Sequence, residues 1–246
     1  MHVFADITES DIILSMPRKR PPNRLDQIAD SATEVFIQQG FGQARIAEIA
    51  ARSRVGPGTI YLYAESKDAL YDLALRRSLE DPTLWELTLP HPAPDPGAVA
   101  DAAWRCIQNA AHFPRLWLAA DSSAPPAGIS AEVDNILGEL YGWLHRYRRA
   151  IKLIERSARD WPDVAQVFYR RFWRGGVRRV ADYLGRRMEE GVLPRRTDPT
   201  AAAHMVAEVL TWAAVHRYWA DGVSVSEDDV TLTIQPMLRS ALMGSA

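Results

Sequence analysis

The chain has 246 residues, 47% of them hydrophobic and 24% charged, enough for a sizeable core, which excludes a miniprotein and a wholly disordered chain. A formal net charge of -2 excludes a protein that merely coats nucleic acid, although residues 17 to 67 hold eight basic against five acidic side chains. One cysteine, Cys106, excludes an internal disulfide, and with no secretory leader and no apolar run near the ~20 residues of a membrane span, a cytoplasmic chain without a membrane partner is expected.

Residues 1 to 20 read as a flexible arm. Acidic Asp6, Glu9 and Asp11 stand among apolar residues before the basic run Arg18-Lys19-Arg20, so either Met16 is the true start or the arm packs on the body as a short amphipathic segment. From Asn23, Leu25, Ile28, Ala29, Ala32, Val35 and Phe36 recur at helical steps up to Gly40, where a left-handed residue would end the helix and Phe41 would fold back on it. A second helix is predicted from about Arg45 to Arg52. After the turn Arg54-Val55-Gly56, Pro57 opens a third that ends near Tyr63.

Ser66 is the expected N-cap of a fourth helix near 67–80. Five prolines make 81–97 a loop. Further helices are expected at about 97–112, 114–121, 130–159, 162–190, 198–220 and 226–243, with Gly175-Gly176 marking a bend or a close approach. No strand alternation persists. The fold class is therefore all-α: a three-helix N-terminal unit with a helix-turn-helix layout (21–66) followed by a larger helical body (67–246).

Two short helices joined by a tight turn can place the second in the major groove. Gly40-Phe41, Ile46-Ala47-Glu48-Ile49-Ala50, Val55-Gly56-Pro57-Gly58-Thr59-Ile60-Tyr61-Leu62-Tyr63 and Ser66-Lys67-Asp68-Ala69-Leu70 closely resemble, over about residues 24–70, the DNA-binding domain of the TetR family. Ile46, Ile49, Val55 and Ile60 would lock the two helices together. Gly56, Pro57 and Gly58 sit at the N-terminus of the recognition helix, where the free N–H groups of the first turn favour phosphate, and Thr59 can meet a base edge. Tyr61, Tyr63, Arg45 and Lys67 are expected on the phosphate backbone, and Arg24, with Arg18, Lys19 and Arg20, is expected to follow the duplex into a neighbouring groove. Three positions depart from the family pattern. Ala44 replaces a hydroxyl residue, Arg54 a common glycine, and Ala64 a phenylalanine, whose loss would leave a void costing about 3 kcal/mol unless another group fills it.

Beyond residue 70 the resemblance is in helical layout. It implies a ligand-responsive regulator, a repressor in the usual case, that binds a pseudo-palindromic operator as a homodimer and releases it on binding an effector. The dimer face would come from Phe168, Phe172, Val177, Val180, Leu184, Ala203, Val206, Ala207, Leu210 and Ala214. Candidate pocket residues are Trp104, Trp117, Trp143, Tyr147, Trp173 and Trp212 as walls, with Asn109, His112, Glu155 and His216 as polar anchors; they suit a hydrophobic or aromatic molecule. The six histidines are scattered without metal-ligand or nucleophile spacing, so neither an enzyme, a metal nor a cofactor is expected. The rival reading is a TetR-like ligand-binding or protein-interaction module without specific DNA recognition.

Overall fold

The computed structural model describes residues 23–121, 128–195 and 197–244. The expectations for the N-terminal arm, including Met16, Arg18, Lys19 and Arg20, lie outside the described residues. Among the described residues the chain is all-helical, and no strand forms apart from one isolated bridge between Ala64 and His91.

Three helices make the N-terminal reader: α1 (Arg24–Gln39), α2 (Ile46–Arg52) and α3 (Pro57–Ile60). α1 buries its apolar stripe and stops at Gly40, at φ 80°, whose N–H donates to Phe36 O at 2.8 Å. Phe41 then returns onto Phe36, ring centroids 5.6 Å apart, the hydrophobic contact of a helix end. Ile49 and Ile60 are fully buried between the helices, with Ile46 and Val55 packed at the edge, as their spacing predicts.

α4 (Lys67–Ser78) begins on Ser66, whose Oγ accepts from Ala69 N–H at 3.0 Å, and packs along α1. A 3-10 turn (Pro82–Glu86) opens the proline-rich stretch. The body follows with α5 (Ala98–Ala110), α6 (Pro114–Asp121) and α7 (Ile129–Arg146). The single long helix expected over 130–159 is two. α7 stops at Tyr147, whose φ −96° and ψ 15° leave helical geometry, and α8 (Arg148–Ser157) restarts to lie across α1.

The segment expected over 162–190 also divides, into α9 (Pro162–Gln166), a π-helical stretch (Val167–Trp173) and α10 (Arg174–Glu189). The irregularity therefore precedes Gly175-Gly176 instead of falling on them. α11 (Pro199–Ala214), capped by Asp198 Oδ1 on Ala201 N–H, packs along α10. A 3-10 turn (His216–Trp219) and α12 (Glu227–Met243) complete the body.

This packing corrects the expected dimer face. Phe168, Val177, Val180, Leu184, Ala203, Val206, Leu210 and Ala214 are buried inside one chain, and Phe172 and Ala207 pack against the same core. Their apolar stripes join α10 to α11 and to the rest of the body. The large apolar side chains that remain outside on α11 are Met205 and Trp212.

Candidate DNA reader and ligand cavity

The exposed edge of the reader is short and specific. Gly56, Pro57 and Gly58 are exposed, Thr59 is half-buried, and Tyr61 is 50% exposed. Arg45 caps α2 with its backbone N–H on Glu48 Oε2 at 3.2 Å, which leaves its guanidinium exposed beside the reader. Arg24 opens α1, half-buried. These seven keep positions from which DNA can be touched.

Two expected contacts have other tasks. Tyr63 is only 3% exposed, its ring in the core and its carbonyl accepting from His91 N–H at 2.8 Å. Lys67 turns inward, because the loop after α1 leaves carbonyls of Phe41, Gly42 and Ala44 without helical partners; its Nζ donates to them at 2.9, 3.3 and 3.3 Å and lies 4.6 Å from the Phe41 ring.

The expected void at Ala64 is absent. Ala64 is buried against the proline-rich segment, which lays down backbone where the family carries a phenyl ring: Glu65 N–H donates to His91 O at 2.9 Å. His91 itself is buried, with Nε2 2.7 Å from Asp72 Oδ2, and Arg76 Nε reaches the same oxygen at 2.9 Å. The other departures are also accommodated. Ala44 is core, and Arg54 holds φ 56°, the left-handed turn that glycine usually supplies.

A cavity of about 310 Å³ lies in the body between α5, α6, α7, the π-helical stretch, α10 and α11. Of the ten expected ligand residues, Trp104, Trp117, Trp143 and Trp173 line it. His112 stands edge-on to Trp117 from outside, and Tyr147 lies behind Trp143 with centroids 5.0 Å apart. Asn109 is exposed on α5, Trp212 faces outward, and His216 pairs with Glu155 across 3.6 Å, so these three do not reach it. Six residues assigned above to a dimer, Phe172, Val177, Val180, Val206, Ala207 and Leu210, form cavity wall instead.

Trp143 Nε1 donates to Ala110 O at 2.9 Å, which satisfies its one polar group and leaves an apolar face for the cavity. The wide π turn brings three successive residues, Arg171, Phe172 and Trp173, to the cavity. Sequence reasoning missed Arg171 and Arg179; their only signal was a placement on either side of Gly175-Gly176.

Wall and reader are mechanically continuous. α7 carries Trp143 and Leu144 into the cavity, breaks at Tyr147, and continues as α8, whose Arg149 lies 3.4 Å from Asp30 Oδ1 and whose Arg156 Nε donates to Ile37 O at 3.0 Å, both on α1. Arg146, just before the break, pairs with Glu80 beyond α4. Near this junction Tyr71 of α4 stacks on Trp161 at 4.9 Å, with Phe41 edge-on to both.

Comparison with known proteins agrees with this architecture. The family of bacterial regulatory proteins described as the tetR family matches residues 28–74, and the C-terminal domain of AefR-like transcriptional repressors matches residues 146–239, together more than half of the chain. The fatty acid metabolism regulator protein of Bacillus subtilis (strain 168) is 42% identical over 53 residues, 22% of this chain and about a quarter (26%) of that protein. Among solved structures, the ketosteroid transcriptional regulator KstR2 of Mycobacterium tuberculosis superposes with a TM-score of 0.57 at 13% identity, over 92% of this chain and 98% of that one. AibR, in complex with isovaleryl coenzyme A and operator DNA, gives 0.52 at 14% identity, over 91% of this chain and 100% of that one. The chain belongs to the TetR family of transcriptional regulators, with a helix-turn-helix DNA-binding segment joined to an all-helical body.

Proposed function

We propose that the protein is a ligand-responsive repressor that binds a pseudo-palindromic operator as a homodimer and leaves it when a small hydrophobic molecule fills the cavity in the body. The single observation that carries this reading is the continuity of the cavity wall with the reader through α7, the break at Tyr147 and α8. A ligand that moves Trp143 works on a helix whose continuation grips α1. α4 remains the second arm of the coupling, since it packs on α1 and α8 together. Ligand and DNA then compete through two conformations of one body, and each lowers the affinity of the other. That AibR, of the same fold, is found with a coenzyme A thioester and operator DNA is consistent with such a pairing.

On DNA, Thr59 reads base edges, the α3 turn from Gly56 to Gly58 approaches the backbone, and Tyr61, Arg45 and Arg24 hold phosphates. The rival reading, a module without specific DNA recognition, rested on Ala44 and Ala64, and both are packed into the core. Footprinting on DNA around the protein's own gene, followed by anisotropy titration of the protected fragment across a salt series, tests the proposal. A protected pair of half-sites about one helical turn apart is expected, with log K falling steeply against log salt. No protection, or affinity insensitive to salt, would leave the rival reading.

A further inference from the structure

Arg171 and Arg179 set the chemistry of the cavity. Most of its wall is aromatic or aliphatic, yet both arginines line it, with guanidinium carbons 5.7 Å from the ring centroid of Trp104 and 5.9 Å from that of Trp117. Both indoles are themselves cavity wall. Some arginines of the body meet carboxylates, as Arg149 does Asp30, Arg187 Glu132 and Glu190, and Arg239 Asp134, while Arg148 and Arg156 donate to backbone carbonyls. Among the described residues neither Arg171 nor Arg179 has a carboxylate within 4.0 Å. A guanidinium held over an indole at this distance keeps N–H groups for an oxyanion.

The two arginines also mark the way in. Arg171, Gly175, Gly176 and Arg179 all line the cavity and are all exposed, so this stretch of the helix borders its opening. A Cβ built on either glycine meets nothing within 4 Å. The pair of glycines therefore does not admit another backbone, the usual reason for glycine inside a helix; it leaves the opening unobstructed between two cations about two turns apart.

We infer that the ligand is an anionic amphiphile, an apolar body carrying a terminal carboxylate, with the body among the tryptophans and the carboxylate at the opening between Arg171 and Arg179. The inference rests on the reading of this cavity as the effector site. A volume of about 310 Å³ lies at the small end of the roughly 300–1,000 Å³ range of ligand pockets, so a short single-chain probe is suitable.

The test uses the full chain and three ten-carbon probes of opposed head charge, namely decanoate, 1-decanol and decyltrimethylammonium, titrated by quenching of tryptophan fluorescence. Decanoate is expected to bind at least 10-fold more tightly than decanol and the cation weakest. In the double variant Arg171→Gln with Arg179→Gln, decanoate falls to the level of decanol while decanol is unchanged, and an unchanged thermal melt shows that the variant folds. Equal binding of decanoate and decanol, or a preference that survives in the variant, overturns the role of the arginines and leaves the cavity reading intact. If none of the three probes quenches, while a Trp143→Phe protein gives the same null titration and operator binding persists, the cavity reading fails and this inference with it.

Discussion

Lys67 shows how a family motif can keep a residue and conceal its task. The motif places a lysine at the start of α4, where a phosphate clamp is the natural reading, but three carbonyls at the end of the α1 loop claim its ammonium. Arg45 is exposed beside the reader, and among the described residues no carbonyl cluster of that kind claims its guanidinium. The two cations should therefore fail differently. Lys67→Met is expected to lower stability by about 1–2 kcal/mol, as carbonyls lose a charged donor, without altering the salt slope of DNA binding. Arg45→Ala should leave the urea midpoint nearly unmoved and reduce that slope by about 1, one phosphate's share. Chemical denaturation and anisotropy on the two variants check this; a reduced slope in Lys67→Met would restore the lysine to the DNA. Ala64 carries the same lesson, for the space of a phenyl ring is taken by backbone at His91, contributed from 27 residues further along the chain, which a local motif cannot report.

Elements with strong periodicity and caps were legible. α1, α4, α5, α6 and α12 lie within a few residues of their predicted spans, where Gly40, Ser66, Pro114 and Ser226 punctuate them chemically, while the helix predicted over 198–220 starts as expected at Asp198 but ends at Ala214, with a 3-10 turn after it. The break at Tyr147 and the π turn at 167–173 were not. Neither carries a proline or glycine, and neither interrupts the hydrophobic period of the sequence, so the periodicity gives no sign of them. The cavity was legible in part for a related reason. Tryptophans announce a wall by size, whereas a stripe such as Val177, Val180, Val206 and Leu210 reads alike whether it faces a partner chain, a core or a hole. Gly175-Gly176 was visible as an anomaly, and its cost can be measured. With no atom near either Cβ, Gly176→Ala should raise stability by about 0.5–1 kcal/mol in urea unfolding, the ordinary helix preference of alanine. A loss of stability there would mean that the backbone at the opening requires glycine.

At the scale of the whole molecule, the burial of the expected dimer stripe narrows where a second copy can dock. α10 and α11 spend their inner faces on each other and on the cavity, yet α11 presents Met205, 61% exposed, and Trp212, 47% exposed, seven residues apart and hence on one side of the helix. Two large apolar side chains aligned in this way suit the desolvated centre of an interface better than a solvated surface. If a second copy docks there, affinity for an operator of two half-sites depends on both readers arriving together. The double variant Met205→Glu with Trp212→Glu should therefore sediment as a monomer and lose roughly 10²–10⁴-fold in operator affinity, the loss expected when paired binding becomes single. Because neither side chain supports the core, its urea midpoint should stay within about 0.5 kcal/mol of the parent. A variant that remains dimeric would move the interface to another exposed apolar face, of which Leu232 and Met237 on α12 offer one. A variant that becomes monomeric yet holds the operator undiminished would show that one reader suffices, and the pseudo-palindrome would then have no structural basis.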